Sequence, residues 1–164
     1  YALKKVVEEK PGRRIRLLYA GSGPERKALI KRAAQLGLET NVTFTRFPYT
    51  RMHEAYNMAD AFILASTARR GWLEQFGYVL GEAMASGTPI LATQSGSIAE
   101  VVGDAGLIVP PSDFLALADG MLQLLEDDPK RLALAKKARK RAEQTFDCSK
   151  QAEKIRAIYE SICE

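Results

Sequence analysis

Short apolar runs alternate along this chain with longer segments whose apolar residues recur every three or four positions, a pattern that predicts strands separated by helices. Ala2 to Glu9 has helical period and is closed by Pro11-Gly12. Ile15–Ala20 (IRLLYA) reads as a buried strand, followed by the glycine-rich turn GSGPE. Pro24 suits a first helical position, and the helix Glu25–Leu36 stops at Gly37. Asn41–Thr45 predicts a short strand, Met52–Met58 a short helix and Ala61–Ala65 a further apolar strand. The loop Ser66–Leu73 leads into EQFGYVLGE, residues 74–82, and a helix ending at Gly87. After Thr88-Pro89 comes the strand Ile90–Thr93, and Ser97-Ile-Ala-Glu100 has the spacing of a capping box. Gly106–Val109 is a last strand, Pro110-Pro-Ser-Asp113 introduces the helix Phe114–Leu125, and two polar helices, Pro129–Thr145 and Ser149–Cys163, close the chain.

Strands that alternate with helices imply a parallel sheet covered on both faces. With no internal repeat and no linker, residues 1–164 read as one α/β domain. An α/β unit of this kind normally opens with a strand, whereas this chain opens inside a helix. The expectation is therefore a fragment whose first strand lies upstream, leaving a sheet edge open to an oligomeric partner.

Composition narrows the function classes only modestly. A hydrophobic fraction of 46% and a charged fraction of 27% are ordinary for a globular chain of 164 residues. No run approaches the length of a membrane span, and the opening YALKKVVEEK lacks the continuous apolar stretch of a signal peptide. Cys148 and Cys163 have neither metal nor redox spacing, which points to a reducing compartment and a cytoplasmic protein. The net charge of +4 suits a phosphorylated ligand and falls short of a nucleic-acid footprint.

The segment EQFGYVLGE concentrates the candidate chemistry. Gly77 allows close backbone approach, and the free amides of the helix that starts there form an anion site. Glu74 lies in the loop before the helix and Glu82 in its second turn, where a side chain leans back toward the N-terminus. Five residues at about 1.5 Å each place Glu82 on the order of 7–8 Å from the first amides, the separation between a pyrophosphate and its ribose. One carboxylate accepts two hydrogen bonds, so Glu82 suits a vicinal diol.

From Leu17 onward the chain resembles the C-terminal, donor-binding domain of GT-B glycosyltransferases of the large retaining family four (group 1). The resemblance rests on GSGPE at 21–25, NVTF at 41–44, MADAFILAS at 58–66, EQFGYVLGEAMASGTPILAT at 74–93, SIAEVV at 97–102 and GLIVPPSD at 106–113. It implies a Rossmann-like parallel sheet with helices on both faces, the C-terminal half of GT-B. It also implies retaining, metal-independent transfer of a sugar from a nucleotide diphosphate, with no cofactor beyond that substrate. By resemblance Glu74 contacts the donor sugar as the catalytic residue, and Glu82 holds the ribose. Gln75 and the amides of Phe76, Gly77 and Tyr78 meet the sugar and pyrophosphate, and Gly21, Ser22 and Gly23 line the cleft near the nucleotide. This chain has Gln75 where the family usually has glycine, and its long ARRGWL loop offers Arg69 or Trp72 to the sugar site. The family's phosphate-binding Arg and Lys, and its acceptor domain, have no counterpart in these residues.

Other readings stand beside this one. A non-catalytic nucleotide-binding or assembly module has the same alternation of elements. A dinucleotide-binding domain fits less well, because the turn is GSGPER rather than G-x-G-x-x-G. His53, the only histidine, lies on a short polar helix and reads as a surface residue. Residues 130–141 carry seven basic side chains and no acid. Lys136, Lys137, Arg139, Lys140 and Arg141 suggest either a solvated face or peripheral contact with the inner face of an anionic membrane. In the first case Leu132, Ala135, Ala138, Ala142 and Phe146 are the stripe that docks the helix.

Overall fold

A computed structural model describes residues 1–68 and 72–163. Its elements run α1 (Ala2–Glu9), β1 (Leu17–Ala20), α2 (Arg26–Gln35), β2 (Val42–Thr45), α3 (Met52–Asn57), β3 (Phe62–Leu64) and α4 (Tyr78–Ala85). There follow β4 (Ile90–Thr93), α5 (Ile98–Val102), β5 (Gly106–Val109), α6 (Phe114–Glu126), α7 (Asp128–Thr145) and α8 (Cys148–Cys163). Single 3₁₀ turns precede α3 and β5. All strands pair in parallel, as the alternating pattern requires.

The sheet is not continuous. β1 pairs with β2, Leu17 opposite Val42 and Tyr19 opposite Phe44, while β3, β4 and β5 form a second sheet in that order. β1 and β3 share no hydrogen bonds, so each keeps an open edge. Yet Leu17 and Val42 of one sheet and Ile63, Leu91, Leu107 and Val109 of the other pack into the same apolar cluster under α1 and α6. The second cluster covers the opposite face of β3–β5, where Phe62, Leu64, Ile90 and Ala92 meet α4, α5 and α7. Alternate residues of β4 enter alternate clusters, and all four are buried. Leu80, Met84 and Ile90 are fully enclosed, and burying each such side chain contributes roughly 1.5–3 kcal/mol.

Several local expectations shift. Pro24 precedes the cap residue Glu25 rather than opening α2. The capping box at Ser97 does not form, since that side chain makes no cap hydrogen bond. Leu132 is 59% exposed, and α7 instead docks through Leu134, Ala138 and Ala142, spaced four apart on one face. α6 and α7 are capped by Asp113 and Asp127, whose carboxylates accept from the first free amides. α8 buries none of its residues.

The basic run on α7 is largely tied down. Arg141 donates to the carbonyls of Val101 and Glu100, closing the end of α5, each at 2.7 Å. Arg139 reaches the Ala85 carbonyl at the end of α4 and also pairs with Glu143. Lys137 lies 2.9 Å from Asp104 and holds that carboxyl below its ordinary range. Cationic side chains at helix C-termini complement the dipole there, so these charges lock α7 onto the domain. No helix among the described residues is long and apolar enough to cross a membrane.

Candidate donor site at the head of α4

The site is built where β3 and β4 end. In parallel sheets the loops at the carboxyl ends of the strands form the ligand crevice. Residues 65–68 follow β3 and residues 72–77 lead into α4, while the loop after β4 carries Gln94–Ser97 into α5. The Ser97 amide donates to the Glu74 carbonyl at 2.9 Å, which binds these two loops together. Thr93 fastens the same region from below, its hydroxyl donating to the Ser66 carbonyl.

Gly96 is what permits this contact. Its φ is +55°, and a Cβ on it would lie 2.0 Å from the Glu74 oxygen. Only a residue without a side chain fits there. Gly77 has a similar role at the helix entrance. With φ of +71° it turns the chain into α4, and a Cβ would come within 3.1 Å of Leu80 and 3.5 Å of the Glu74 side chain. A left-handed residue there is sterically costly for anything but glycine.

Gly77 is the cap residue of α4 and supplies no side-chain acceptor. The amides of Tyr78 and Val79 head the helix and have no intrahelical partner. Unlike α6 and α7, α4 therefore presents an uncapped positive end. Glu74 is half-buried beside it, and Gln75 and Tyr78 are exposed. Phe76 fastens the loop: its ring meets Phe146 edge-on at 5.2 Å and leans on Tyr78 at 5.4 Å. Phe146 caps the end of α7, so the helix that carries the basic run also braces the loop that carries Glu74.

Glu82 is half-buried rather than pointed at bulk water. The Tyr56 hydroxyl on α3 donates to its Oε2 at 2.8 Å. Nothing in EQFGYVLGE indicated this partner, although a tyrosine buried on a helix needs something for its hydroxyl. Burial, and then the hydrogen bond that its hydroxyl donates to Glu82, push the Tyr56 phenol well above its ordinary range. That shift has a measurable consequence. Above about pH 10 an unfolded tyrosine ionises while Tyr56 keeps its proton, so the unfolded state binds fewer protons and stability falls as pH rises. Thermal melts between about pH 9 and pH 11.5 should show this decline, and Tyr56→Phe should flatten it.

The other expected residues lie apart or on the surface. Gly21, Ser22 and Gly23 follow β1 and are exposed, and the Gly21 amide donates to the Thr45 carbonyl at 2.9 Å. They belong to the β1–β2 sheet, whereas Glu74 and Glu82 belong to elements of the β3–β5 sheet. Trp72 is 52% exposed, and Arg69 lies outside the described residues. His53 is exposed on α3 beside Glu54, which pairs with Arg51. Among the described residues, no three His, Cys, Asp or Glu side chains gather as metal ligands.

Comparison with known proteins gives this geometry a context. The sequence profile of the family described as glycosyl transferases group 1 matches residues 2–141. D-inositol 3-phosphate glycosyltransferase of Corynebacterium urealyticum is 34% identical over 98% of this chain and 38% of its own length. N-acetyl-alpha-D-glucosaminyl L-malate synthase of Bacillus anthracis is 33% identical over 98% of this chain and 39% of its own. Among solved structures, Anabaena HepE in complex with UDP superposes with a TM-score of 0.83 at 27% identity, covering 98% of this chain and 44% of that one. This chain thus spans about two fifths of the length of the relatives it matches.

Proposed function

The chain belongs to the glycosyl transferases group 1 family, and from that premise we propose that it supplies the donor site for transfer of a sugar from a nucleotide diphosphate to an acceptor. The observation that carries the reading is the uncapped head of α4, flanked by Glu74 on one side and by Glu82 on the other. Transfer breaks the bond between the anomeric carbon and the phosphate oxygen. Negative charge grows on the departing diphosphate, and positive charge grows at the anomeric carbon. The free amides of α4 are preorganised for the first, and they replace a divalent metal in this proposal.

Glu74 orients the hydroxyls of the sugar and does not attack it. Its carboxylate lies beside the carbon that gains positive charge, so it is the catalytic residue. Glu82 accepts the ribose diol, Gln75, Phe76, Gly77 and Tyr78 surround the sugar and pyrophosphate, and Gly21–Gly23 approach the nucleotide. The acceptor hydroxyl oxygen bonds to the anomeric carbon on the same face that the diphosphate leaves, giving retention, and its proton passes to the departing phosphate oxygen. The acceptor-binding site comes from the remainder of the full-length protein. Two relatives named as glycosyltransferase and synthase, and a solved neighbour holding UDP, support the class of donor. The open edges of β1 and β3 are the surfaces we assign to added chain or a second copy, because unpaired strand edges recruit strands. Peripheral membrane contact is assigned to Lys136 and Lys140, whose side chains make no ion pair or hydrogen bond among the described residues.

The test is titration of the full-length protein with UDP, GDP and ADP. One of them should bind, and Glu82→Ala should weaken it about 10- to 100-fold, as expected for loss of charge-assisted hydrogen bonds of 1.5–3 kcal/mol. Binding of none of the three, or of NADH in their place, would sink the donor-site reading.

A further inference from the structure

Resting on that reading of Glu82, we propose that Tyr56 is a positioning residue for the donor nucleotide: it holds the Glu82 carboxylate in the orientation that meets the ribose. The phenol is anchored at both ends. Its hydroxyl donates to Glu82 Oε2 at 2.8 Å, and the residue is only 4% exposed. The ring stands edge-on to Phe62 of β3, with centroids 5.4 Å apart. The Tyr56 carbonyl accepts from the buried hydroxyl of Thr88 at 3.0 Å, two residues before β4. The strand layer therefore fixes where the phenolic oxygen sits, and that oxygen fixes Glu82.

Glu82 needs such a partner. It stands in the middle of α4, its backbone carbonyl taken by the Ser86 amide and hydroxyl, each at 3.0 Å. No cation pairs with its carboxylate among the described ion pairs. A free glutamate samples several rotamers, and ordering it only when ligand arrives subtracts from affinity. A carboxylate has about four lone-pair positions. Tyr56 occupies one of them and leaves Oε1 and the second position of Oε2 for two neighbouring hydroxyls. A phenol that keeps its proton can only donate to this carboxylate, so the bond has one direction and one geometry.

The variant Tyr56→Phe removes the hydroxyl and retains the ring with its Phe62 and Thr88 contacts. The full-length protein, wild type, Tyr56→Phe and Glu82→Ala, is titrated calorimetrically with the nucleoside diphosphate that binds best among UDP, GDP and ADP. The same three proteins are titrated with its 2′,3′-dideoxy counterpart. Tyr56→Phe is expected to lower affinity for the ribonucleotide about tenfold while leaving the dideoxy form unchanged, and to raise KM for the donor sugar at constant kcat. Glu82→Ala is expected to abolish the preference altogether. If Glu82→Ala loses the preference and Tyr56→Phe keeps it, the ribose reading stands and the positioning role is overturned. Equal weakening of both nucleotides by Tyr56→Phe reports lost packing and overturns it as well. If Glu82→Ala keeps the preference, or no diphosphate binds, the ribose reading itself fails and this proposal with it.

Discussion

Gly96→Ala is expected to reduce sugar transfer by the full-length protein about 100-fold or more, because a displacement of about 1 Å at a catalytic group costs that much. The added Cβ would stand 2.0 Å from the Glu74 carbonyl oxygen and 2.9 Å from its amide nitrogen and carbonyl carbon. These are backbone atoms, so no rotamer change relieves the clash. One loop has to move. Moving it stretches the 2.9 Å bond from the Ser97 amide to the Glu74 carbonyl, which is what registers Glu74 against the head of α4. The φ of +55° at Gly96 adds the steric cost of a left-handed alanine. The effect should be read as kcat and KM together with a thermal melt. A fall in turnover with Tm lowered by only a few degrees places the damage in the loop. Turnover within about threefold of wild type would show that the Gly96–Glu74 contact does not position the catalytic carboxylate.

Glu74→Gln is the sharper chemical test. Gln preserves size and one acceptor oxygen but removes the negative charge that faces the anomeric carbon in the proposed mechanism. Stabilisation that acts only in the transition state lowers kcat and kcat/KM equally, and losing one such group costs about 100- to 1,000-fold. The nucleoside diphosphate alone should bind Glu74→Gln within about twofold of wild type, since Glu74 is assigned to the sugar and not to the nucleotide. Measuring turnover and diphosphate affinity on the same preparation separates the two. If diphosphate affinity collapses along with turnover, Glu74 supports the loop rather than the reaction. If turnover is unchanged, the catalytic assignment is wrong.

The order and type of elements were legible because periodicity is local. Three of the four residues of β4, Ile90, Leu91 and Ala92, are consecutive and apolar, and that run announced a strand covered on both faces. EQFGYVLGE was legible for the same reason, since Gly77, the start of α4 and Glu82 lie within two helical turns. Where a reading failed, a distant partner had intervened. Ser97 has the composition of a capping box, but the structure spends its amide on Glu74, more than twenty residues earlier. Leu132 fits an apolar stripe on α7, yet the cations at Lys137, Arg139 and Arg141 choose which face docks, because their acceptors sit at the ends of α4 and α5.

The sequence by itself therefore determined the α/β class, the uncapped glycine entrance to α4 and the two carboxylates on either side of it. All of these follow from backbone propensity and helical spacing within a few residues. Tertiary structure alone decided that Tyr56 grips Glu82, that Gly96 underlies Glu74, and that β1–β2 and β3–β5 share a core without sharing hydrogen bonds. Those facts join residues more than twenty positions apart. They depend on how helices and strands stack, and the pattern of any one segment carries no information about the segment it will meet.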